Sequence, residues 1–175
     1  MPLRNLWALE PDECTVAEEL GKEIQNCQVY FPTHDTGVDL IVVRGKKHVA
    51  IQVKGSRYYP GRRKGILGKE SSHSWHQIKA KKLAESNSDF YIFVTWKTKD
   101  NEYGTKEFEP KFVIVPVGVL RERCRNKNKG RANIYHFYFT FEDDNVVSDT
   151  REKVPVDYSE FLKGWLKINE PLAEA

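Results

Sequence analysis

The sequence predicts an α/β fold in which a mixed central sheet is flanked by helices. Residues 37–54 combine two apolar, β-branched-rich segments around Gly45 and Lys46, as in a β-hairpin. Residues 90–96 form an uninterrupted apolar run, which is typical of a strand covered on both faces. Helical periodicity before, between and after these segments supplies the flanking layers.

The first predicted element is a helix from Glu10 to about Asn26. Pro11 suits its first turn, and the acidic residues that follow suit the positive end of the helix dipole. The apolar residues recur at helical spacing and define one buried stripe, made of Val16, Ala17, Leu20, Ile24 and Cys27. A short strand over residues 29–31 follows the helix.

Five acids of this helix compete for a place beside the buried stripe: Asp12, Glu13, Glu18, Glu19 and Glu23. At about 100° of rotation per residue, Glu13 falls near the centre of the stripe, whereas Glu23 falls at its margin. A carboxylate amid an apolar face is unusual, so Glu13 is the preferred functional acid. Glu19 and Glu23 remain alternatives, and so does a purely solvated role for all five.

The hairpin places three polar residues at the outer ends of its strands. A two-residue loop brings Asp39 directly opposite Gln52, with Cβ atoms roughly 5 Å apart. Lys54 lies two residues beyond Gln52 and points to the same face. Carboxylate and amide oxygens are ligands that Mg²⁺ prefers, and a lysine can hold a phosphate or a water, so this convergence indicates phosphodiester hydrolysis. An ordinary ion pair between Asp39 and Lys54 is the alternative.

The remaining elements are predicted from periodicity and from helix and strand breakers. Residues 73–86 favour a helix, residues 100–109 a polar loop, and residues 112–115 a strand. The chain is completed by a helix over about 117–125, an edge strand over 134–141 and a closing helix over 157–168. The order helix, three strands, helix, strand places helices on both sides of a mixed sheet.

Two segments, Pro32–Asp39 and Ile51–Gly55, together resemble the motif of the PD-(D/E)XK nuclease superfamily, which includes restriction endonucleases and archaeal Holliday-junction resolvases. The resemblance implies that Asp39 is the metal-binding aspartate and that Lys54 is the catalytic lysine. Gln52 stands where the family usually has Glu or Asp, and it matches a Gln-x-Lys variant of the motif.

For the fold, the resemblance implies a restriction-endonuclease-like αβββαβ core over about residues 10–96. A C-terminal elaboration with additional strands and helices follows over about 110–170, and we expect one domain over residues 1–175. The sequence contains no Gly-rich phosphate loop of the ATPase type, and no Ser-x-x-Lys or Gly-x-Ser-x-Gly nucleophile.

For the activity, the resemblance implies a Mg²⁺-dependent endonuclease, with Mn²⁺ as a substitute cation. The family places a glutamate on the helix before the hairpin, a position that Glu13 fits. The expected catalytic residues are therefore Glu13, Asp39, Gln52 and Lys54, and Lys54 is expected to orient the attacking water. The implied metal ligands are Glu13, Asp39, Gln52 and the Val53 carbonyl.

The net charge of +3 conceals a strong asymmetry along the chain. Residues 44–131 carry 22 basic and eight acidic residues, whereas the segments before and after them are acidic. Such a basic block is typical of a polyanion binder. Within it, the Gly-, Arg- and Tyr-rich segment 55–69 is predicted to be a loop that binds nucleic acid through Arg57, Tyr58, Arg62, Arg63 and Lys64. A solvated surface loop is the alternative.

Two further features extend this predicted interface. Gln77, at the start of the helix predicted over 73–86, is expected to reach the site or the substrate, and a purely polar helix N-terminus is the alternative. A second basic cluster joins the end of a helix to a loop and consists of Arg121, Arg123, Arg125, Lys127, Lys129 and Arg131. Contacts to a nucleic-acid backbone are favoured over helix-dipole placement alone.

No apolar run is long enough to span a bilayer, and the start of the chain lacks the core of a signal peptide. We therefore expect a cytoplasmic protein without a membrane partner. Nucleic acid, above all DNA, is the expected partner, and a homodimer or a protein partner stays open. Two other functions also stay open: a nucleic-acid-binding module that keeps the fold without catalysis, and a protein-interaction domain.

Overall fold

A computed structural model of the chain describes residues 10–34, 37–56, 59–64, 70–100, 102–127, 133–141, 145–151 and 154–173. Its helices are α1 (Pro11–Glu23), α2 (Ala80–Ala84), α3 (Val117–Asn126) and α4 (Trp165–Leu172), and a 3-10 helix covers Ser159–Phe161. Its strands are β1 (Gln28–Tyr30), β2 (Leu40–Arg44), β3 (Lys47–Ser56), β4 (Tyr59–Lys64), β5 (Glu70–His73), β6 (His76–Lys79), β7 (Phe90–Asp100), β8 (Lys106–Pro116), β9 (Ile134–Phe137), β10 (Phe139–Phe141), β11 (Val147–Asp149) and β12 (Val156–Asp157). Among the helices of these ranges, none is long and apolar enough to cross a membrane.

The central sheet has five strands in the order β1-β2-β3-β7-β8. Strands β3 and β7 run parallel, and the other neighbouring pairs are antiparallel. A parallel pair needs a long crossover connection, which the segment carrying β4 to β6 and α2 supplies. The predicted α/β fold with a mixed central sheet is confirmed.

Both faces of the central sheet are covered, because successive side chains of its inner strands point to opposite sides. On one side, Ile92 belongs to a core that includes Leu20 of α1 and Ile168 of α4. On the other side, Phe93 belongs to a second core that includes Leu120 of α3 and the aromatic residues of β9 and β10. Each fully buried side chain of this kind contributes about 1.5–3 kcal/mol through the hydrophobic effect.

A second sheet has the order β12-β11-β10-β5-β4, and β6 and β9 form a separate two-stranded ribbon. The loop predicted over 55–69 instead contains β4, which pairs with β5. The helix predicted over 73–86 is instead β6 followed by the short α2. In this segment, buried Ser74, His76 and Ile78 alternate with exposed residues, which is the period of a strand. The distant partner β9 therefore overrides the local helical pattern.

The C-terminal half differs from its prediction at three places. The polar loop predicted over 100–109 is the far end of the β7–β8 hairpin, whose ladder reaches Asp100 opposite Lys106. The strand predicted over 134–141 divides into β9 and β10, which join different sheets. The closing helix predicted over 157–168 begins only at Trp165, because the chain turns at Lys163, where φ is 52°.

Candidate active site

The hairpin of β2 and β3 carries the candidate site, and its predicted register is confirmed. Leu40 lies opposite Ile51, and Asp39 extends the ladder by donating its backbone N–H to the Ile51 carbonyl at 2.8 Å. Gly37 lies two residues before Asp39, in a turn where its φ is 79°, which glycine adopts without strain. The Ser88 hydroxyl donates to the Gly37 carbonyl at 3.1 Å and ties this turn to the segment before β7.

Asp39 is held by two donors of the opposing strand. Its Oδ2 accepts a hydrogen bond from the Val53 backbone N–H at 2.8 Å and another from the Gln52 side-chain amide. The Gln52 nitrogen also lies 3.4 Å from the Val53 carbonyl oxygen. These contacts fix the orientation of a half-buried carboxylate before any ligand binds, which is the preorganisation that an electrostatic site requires.

Two neighbouring cavities share two lining residues, Gln52 and Lys54. The smaller cavity, of about 260 Å³, has four acidic residues in its wall: Glu10, Asp12, Glu13 and Asp39. The larger cavity, of about 510 Å³, has three lysines and one acid among its lining residues: Lys54, Lys79, Lys82 and Glu85. An acidic compartment and a basic one therefore share the Gln-x-Lys pair, so a cation and a polyanion can be held side by side.

Glu13 lies in the wall of the smaller cavity, which we call the acidic cavity. It belongs to the first turn of α1, where the helix dipole favours a carboxylate, and it is only 6% exposed. Glu19 instead pairs with Lys22 at 2.9 Å, and Glu23 is exposed. Of the five acids weighed from the sequence, the fold places Glu13 and Asp12 in the wall of this cavity with Asp39, and Glu13 is the preferred one.

Asp12, one of the five acids named from the sequence but not the preferred one, also lines the acidic cavity. Its Oδ1 accepts a hydrogen bond from the Trp96 indole N–H at 2.5 Å. Burial raises the pKa of Asp12, and the hydrogen bond from Trp96 opposes this effect. A Cβ placed on Gly55 would lie 1.6 Å from Asp12 Oδ2, so the backbone of β3 approaches this carboxylate closely. The glycine directly after Lys54 is the sequence feature that marks this approach.

A Gly55→Ala variant is expected to displace the Asp12 carboxylate and to lower the free energy of unfolding by about 1–3 kcal/mol, the range for overpacked sites. Thermal denaturation measures this effect. The matched control is Gly21→Ala in the interior of α1, where no heavy atom lies within 4 Å of the added carbon. That control should raise the stability by up to about 1 kcal/mol. Equal stability of both variants would contradict the close approach of Gly55 to Asp12.

His76 packs beside the Lys54 backbone in largely apolar surroundings. Its ring lies 5.1 Å from the Phe93 ring and 5.6 Å from the Phe139 ring, measured between centroids. Its Nε2 lies 3.3 Å from the Thr95 hydroxyl. Burial lowers the pKa of His76 to about 3, although a hydrogen bond with the Lys54 backbone acts in the opposite direction. The ring is therefore neutral at ordinary pH and serves packing behind the site.

The residues predicted to bind nucleic acid fall into three groups. Arg57 and Tyr58 lie outside the described residues. Three others lie on β4, at the edge of the second sheet, rather than on a loop: Arg62, Arg63 and Lys64. Gln77 lies on β6 rather than on a helix, where it is exposed and lines the larger cavity.

Three of the four described members of the second basic cluster make internal contacts, and its predicted role in nucleic-acid binding stays a prediction. Arg121 donates to backbone carbonyls at the end of α2. Arg123 donates to the Asp157 carbonyl at 2.6 Å, and Lys127 is buried against Asp149. Arg125 is exposed on α3. Two members lie outside the described residues: Lys129 and Arg131.

The chemistry of the acidic cavity fits a hard divalent cation. Within the described ranges, no three His, Cys, Asp or Glu side chains lie close enough together to hold a metal ion by themselves. Asp39, Glu13 and Val53 nevertheless line the cavity together, and two carboxylates and a backbone carbonyl are oxygen donors. Mg²⁺ is usually held by one or two carboxylates, with waters and substrate phosphates in the other positions. The donor set therefore fits Mg²⁺.

No family model matches the chain, and no curated protein matches it. Among solved structures, the chain is similar to "The structure of a bacterial homing endonuclease: I-Ssp6803I", at 14% sequence identity and a TM-score of 0.45. The superposition covers 89% of this chain and 88% of that one.

Proposed function

We propose that this chain is a Mg²⁺-dependent nuclease of the PD-(D/E)XK type, which hydrolyses phosphodiester bonds of nucleic acid, with DNA as the expected substrate. One observation carries the proposal. The register of the β2–β3 hairpin brings Asp39 against Gln52 and Val53, in a cavity whose wall also contains Glu13 and Lys54. A partly buried set of oxygen donors beside a lysine is suited to phosphodiester hydrolysis.

In this proposal, Asp39, Glu13 and the Val53 carbonyl hold the cation. Gln52 directs its amide nitrogen toward Asp39, and a half-turn of the terminal amide exchanges the nitrogen for the oxygen. The amide oxygen would then complete the donor set. The chemistry supplied by a bound Mg²⁺ is polarisation of the scissile phosphate and ionisation of a water.

Lys54 supplies the positive charge on the other side of the site. Its side chain is half-buried and lies where the acidic cavity meets the larger one. An ammonium group there orients the attacking water and stabilises the charge that develops on the phosphate. Lys79 and Lys82 in the wall of the larger cavity attract the neighbouring phosphates of the strand.

The test is cleavage of end-labelled DNA with and without Mg²⁺ or Mn²⁺. The wild-type protein should give product only when a divalent cation is present. Asp39→Ala and Lys54→Ala should each abolish that product, whereas Lys46→Ala, at the exposed turn of the same hairpin, should retain it. Activity that survives intact in both site variants would rule the proposal out.

One contact favours the alternative of a nucleic-acid-binding module without catalysis. The Gln52 amide donates to Asp39 and so satisfies this carboxylate with a neutral group, in the position where the family usually has an acid. A carboxylate that already accepts hydrogen bonds gains less free energy from binding a cation. Metal binding therefore separates the two functions.

A Gln52→Glu variant is expected to be less stable than the wild type without metal and to gain more stability from Mg²⁺. The introduced carboxylate would lie against Asp39, and this repulsion costs about 1–4 kcal/mol. Thermal denaturation with EDTA and then with Mg²⁺ measures both effects. The control is Gln25→Glu, which adds the same charge at an exposed position near the end of α1. A midpoint that does not respond to Mg²⁺ in Gln52→Glu would favour the non-catalytic module.

A further inference from the structure

The ribbon of β6 and β9 presents an unusual outward face beside the candidate site. Its cross-strand pairs include Gln77 with His136 and Lys79 with Ile134. These four side chains are exposed or half-buried, while the residues between them are buried. The alternation gives the ribbon one face in the core and one face in solvent.

Trp75 and Tyr138 continue this outward face beyond the end of the ladder. The Trp75 side chain is 44% exposed, which is notable for so large an aromatic residue. Its ring lies 6.1 Å from His136 and 6.4 Å from Tyr138, with interplanar angles of 25° and 22°. The Trp75 indole N–H donates to His136 Nδ1 at 3.1 Å. Three nearly parallel rings are therefore held in place before any ligand binds. We call Trp75, His136 and Tyr138 the aromatic platform.

The platform is continuous with the candidate active site. Gln77, which pairs with His136, lines the larger cavity together with Lys54. The Trp75 backbone N–H donates to the Ser56 hydroxyl at 2.9 Å, two residues beyond Lys54 on β3. The rings and the lysine therefore belong to one surface, fixed to the same strand.

The charges around the platform complement a polyanion. The Arg151 guanidinium lies 5.4 Å from the centre of the Tyr138 ring. At the other end of the ribbon face, Lys79 is exposed and Lys82 lies beside it in the wall of the larger cavity. Cations on both sides of flat aromatic faces suit phosphates that flank stacked bases.

We propose that the aromatic platform binds unpaired nucleobases by stacking, so that the substrate is a nucleic acid with a single-stranded segment next to the cleaved bond. This inference rests on the proposed function, because it specifies the form of the nucleic acid. Bases inside a duplex are stacked on each other, so their faces cannot reach the rings. Unpaired bases can reach them, and every base has a face that stacks.

The test measures the binding of a fluorescently labelled oligothymidine and of a blunt DNA duplex, in EDTA so that no cleavage occurs. Trp75→Ala should weaken oligothymidine binding about 5- to 100-fold, the scale of one lost stacking contact. Trp75→Phe, which keeps a ring, should recover most of the affinity. Binding of the blunt duplex should be nearly unchanged in both variants. Phe108→Ala removes an aromatic residue of β8 that is 67% exposed, more than Trp75, and should change neither affinity.

Two results would contradict the binding of unpaired bases by the aromatic platform. If Trp75→Ala binds oligothymidine as tightly as the wild type does, the rings serve another class of partner, such as a protein. If Trp75→Ala and Trp75→Phe lose affinity equally, and the duplex is lost in parallel, the effect is one of folding. Cleavage is assayed separately. Oligothymidine binding that depends on Trp75, without any metal-dependent cleavage, would therefore contradict the nuclease function and support the aromatic platform. Metal-dependent cleavage without any effect of Trp75→Ala on binding would support the nuclease function and contradict the platform.

Discussion

Asp39→Asn is expected to reduce metal-dependent cleavage by on the order of 10²- to 10³-fold, the scale on which an enzyme loses rate when one preorganised electrostatic group is removed. The substitution keeps the shape of the side chain and one oxygen that can accept the Val53 N–H. It removes the negative charge that the cation requires. The fold should therefore persist, and the stabilisation by Mg²⁺ should disappear together with the activity.

Lys54→Ala is expected to affect cleavage but not metal binding, which separates the role of this lysine from that of Asp39. Lys54 is proposed to act on water and phosphate rather than on the cation, so its loss should abolish cleavage while the stabilisation by Mg²⁺ remains. Single-turnover cleavage and thermal denaturation, each with and without Mg²⁺, measure the two properties separately. The same loss of Mg²⁺-dependent stabilisation in both variants would contradict this division of roles.

Asp149→Ala is expected to lower the free energy of unfolding by about 3–5 kcal/mol, the typical cost of leaving a buried charge without its partner. Asp149 is fully buried, and it accepts hydrogen bonds from the Lys127 ammonium, the Tyr138 N–H at 3.0 Å and the Arg151 N–H at 3.2 Å. The substitution leaves the ammonium and two backbone donors without this acceptor. Urea denaturation measures the loss.

The control for this prediction is Glu160→Gln. Glu160 pairs with Arg123 at 3.2 Å, but its side chain is 61% exposed, so its loss should cost about 0–1 kcal/mol. The double variant Asp149→Leu with Lys127→Met should be more stable than Asp149→Ala alone, because it removes both buried charges together. If Asp149→Ala lowered the free energy of unfolding no more than Glu160→Gln does, the buried pair of Asp149 and Lys127 would not stabilise the fold as its burial indicates.

The register that places the candidate site could be predicted because its determinants are local. A two-residue loop and the period-2 alternation of β2 and β3 fix the register, and this register alone places Asp39 opposite Gln52. The orientation of Glu13 follows in the same way from the rotation of a single helix. Local rules of this kind need no knowledge of distant partners.

The other contacts of the candidate site and of the surface beside it could not be predicted from the sequence, because they join residues that are distant in the chain. Trp96 meets Asp12 across 84 positions of sequence, and β6 forms a strand only because β9 pairs with it. The segment 73–86 carries helix-like spacing, and nothing within it reveals that partner. The aromatic platform could not be predicted from the sequence for the same reason, since the pairing of β6 with β9 brings Trp75 and Tyr138 together.

The second basic cluster shows a further limit. Charge counted along the chain indicates a polyanion binder, but it cannot distinguish an exposed arginine from one that holds the protein together. Arg121 and Lys127 have internal partners, so the electrostatic surface is smaller than the sequence indicates. Mutations at these two positions are expected to act through stability rather than through binding.

The most direct test of the proposed site is a crystal structure of the wild-type protein with Mn²⁺, in which the anomalous signal locates the cation. The proposal predicts a peak in the acidic cavity, in direct contact with a carboxylate oxygen of Asp39 and with the Val53 carbonyl. A fully occupied peak elsewhere, or no peak in that cavity at a saturating concentration of Mn²⁺, would contradict it.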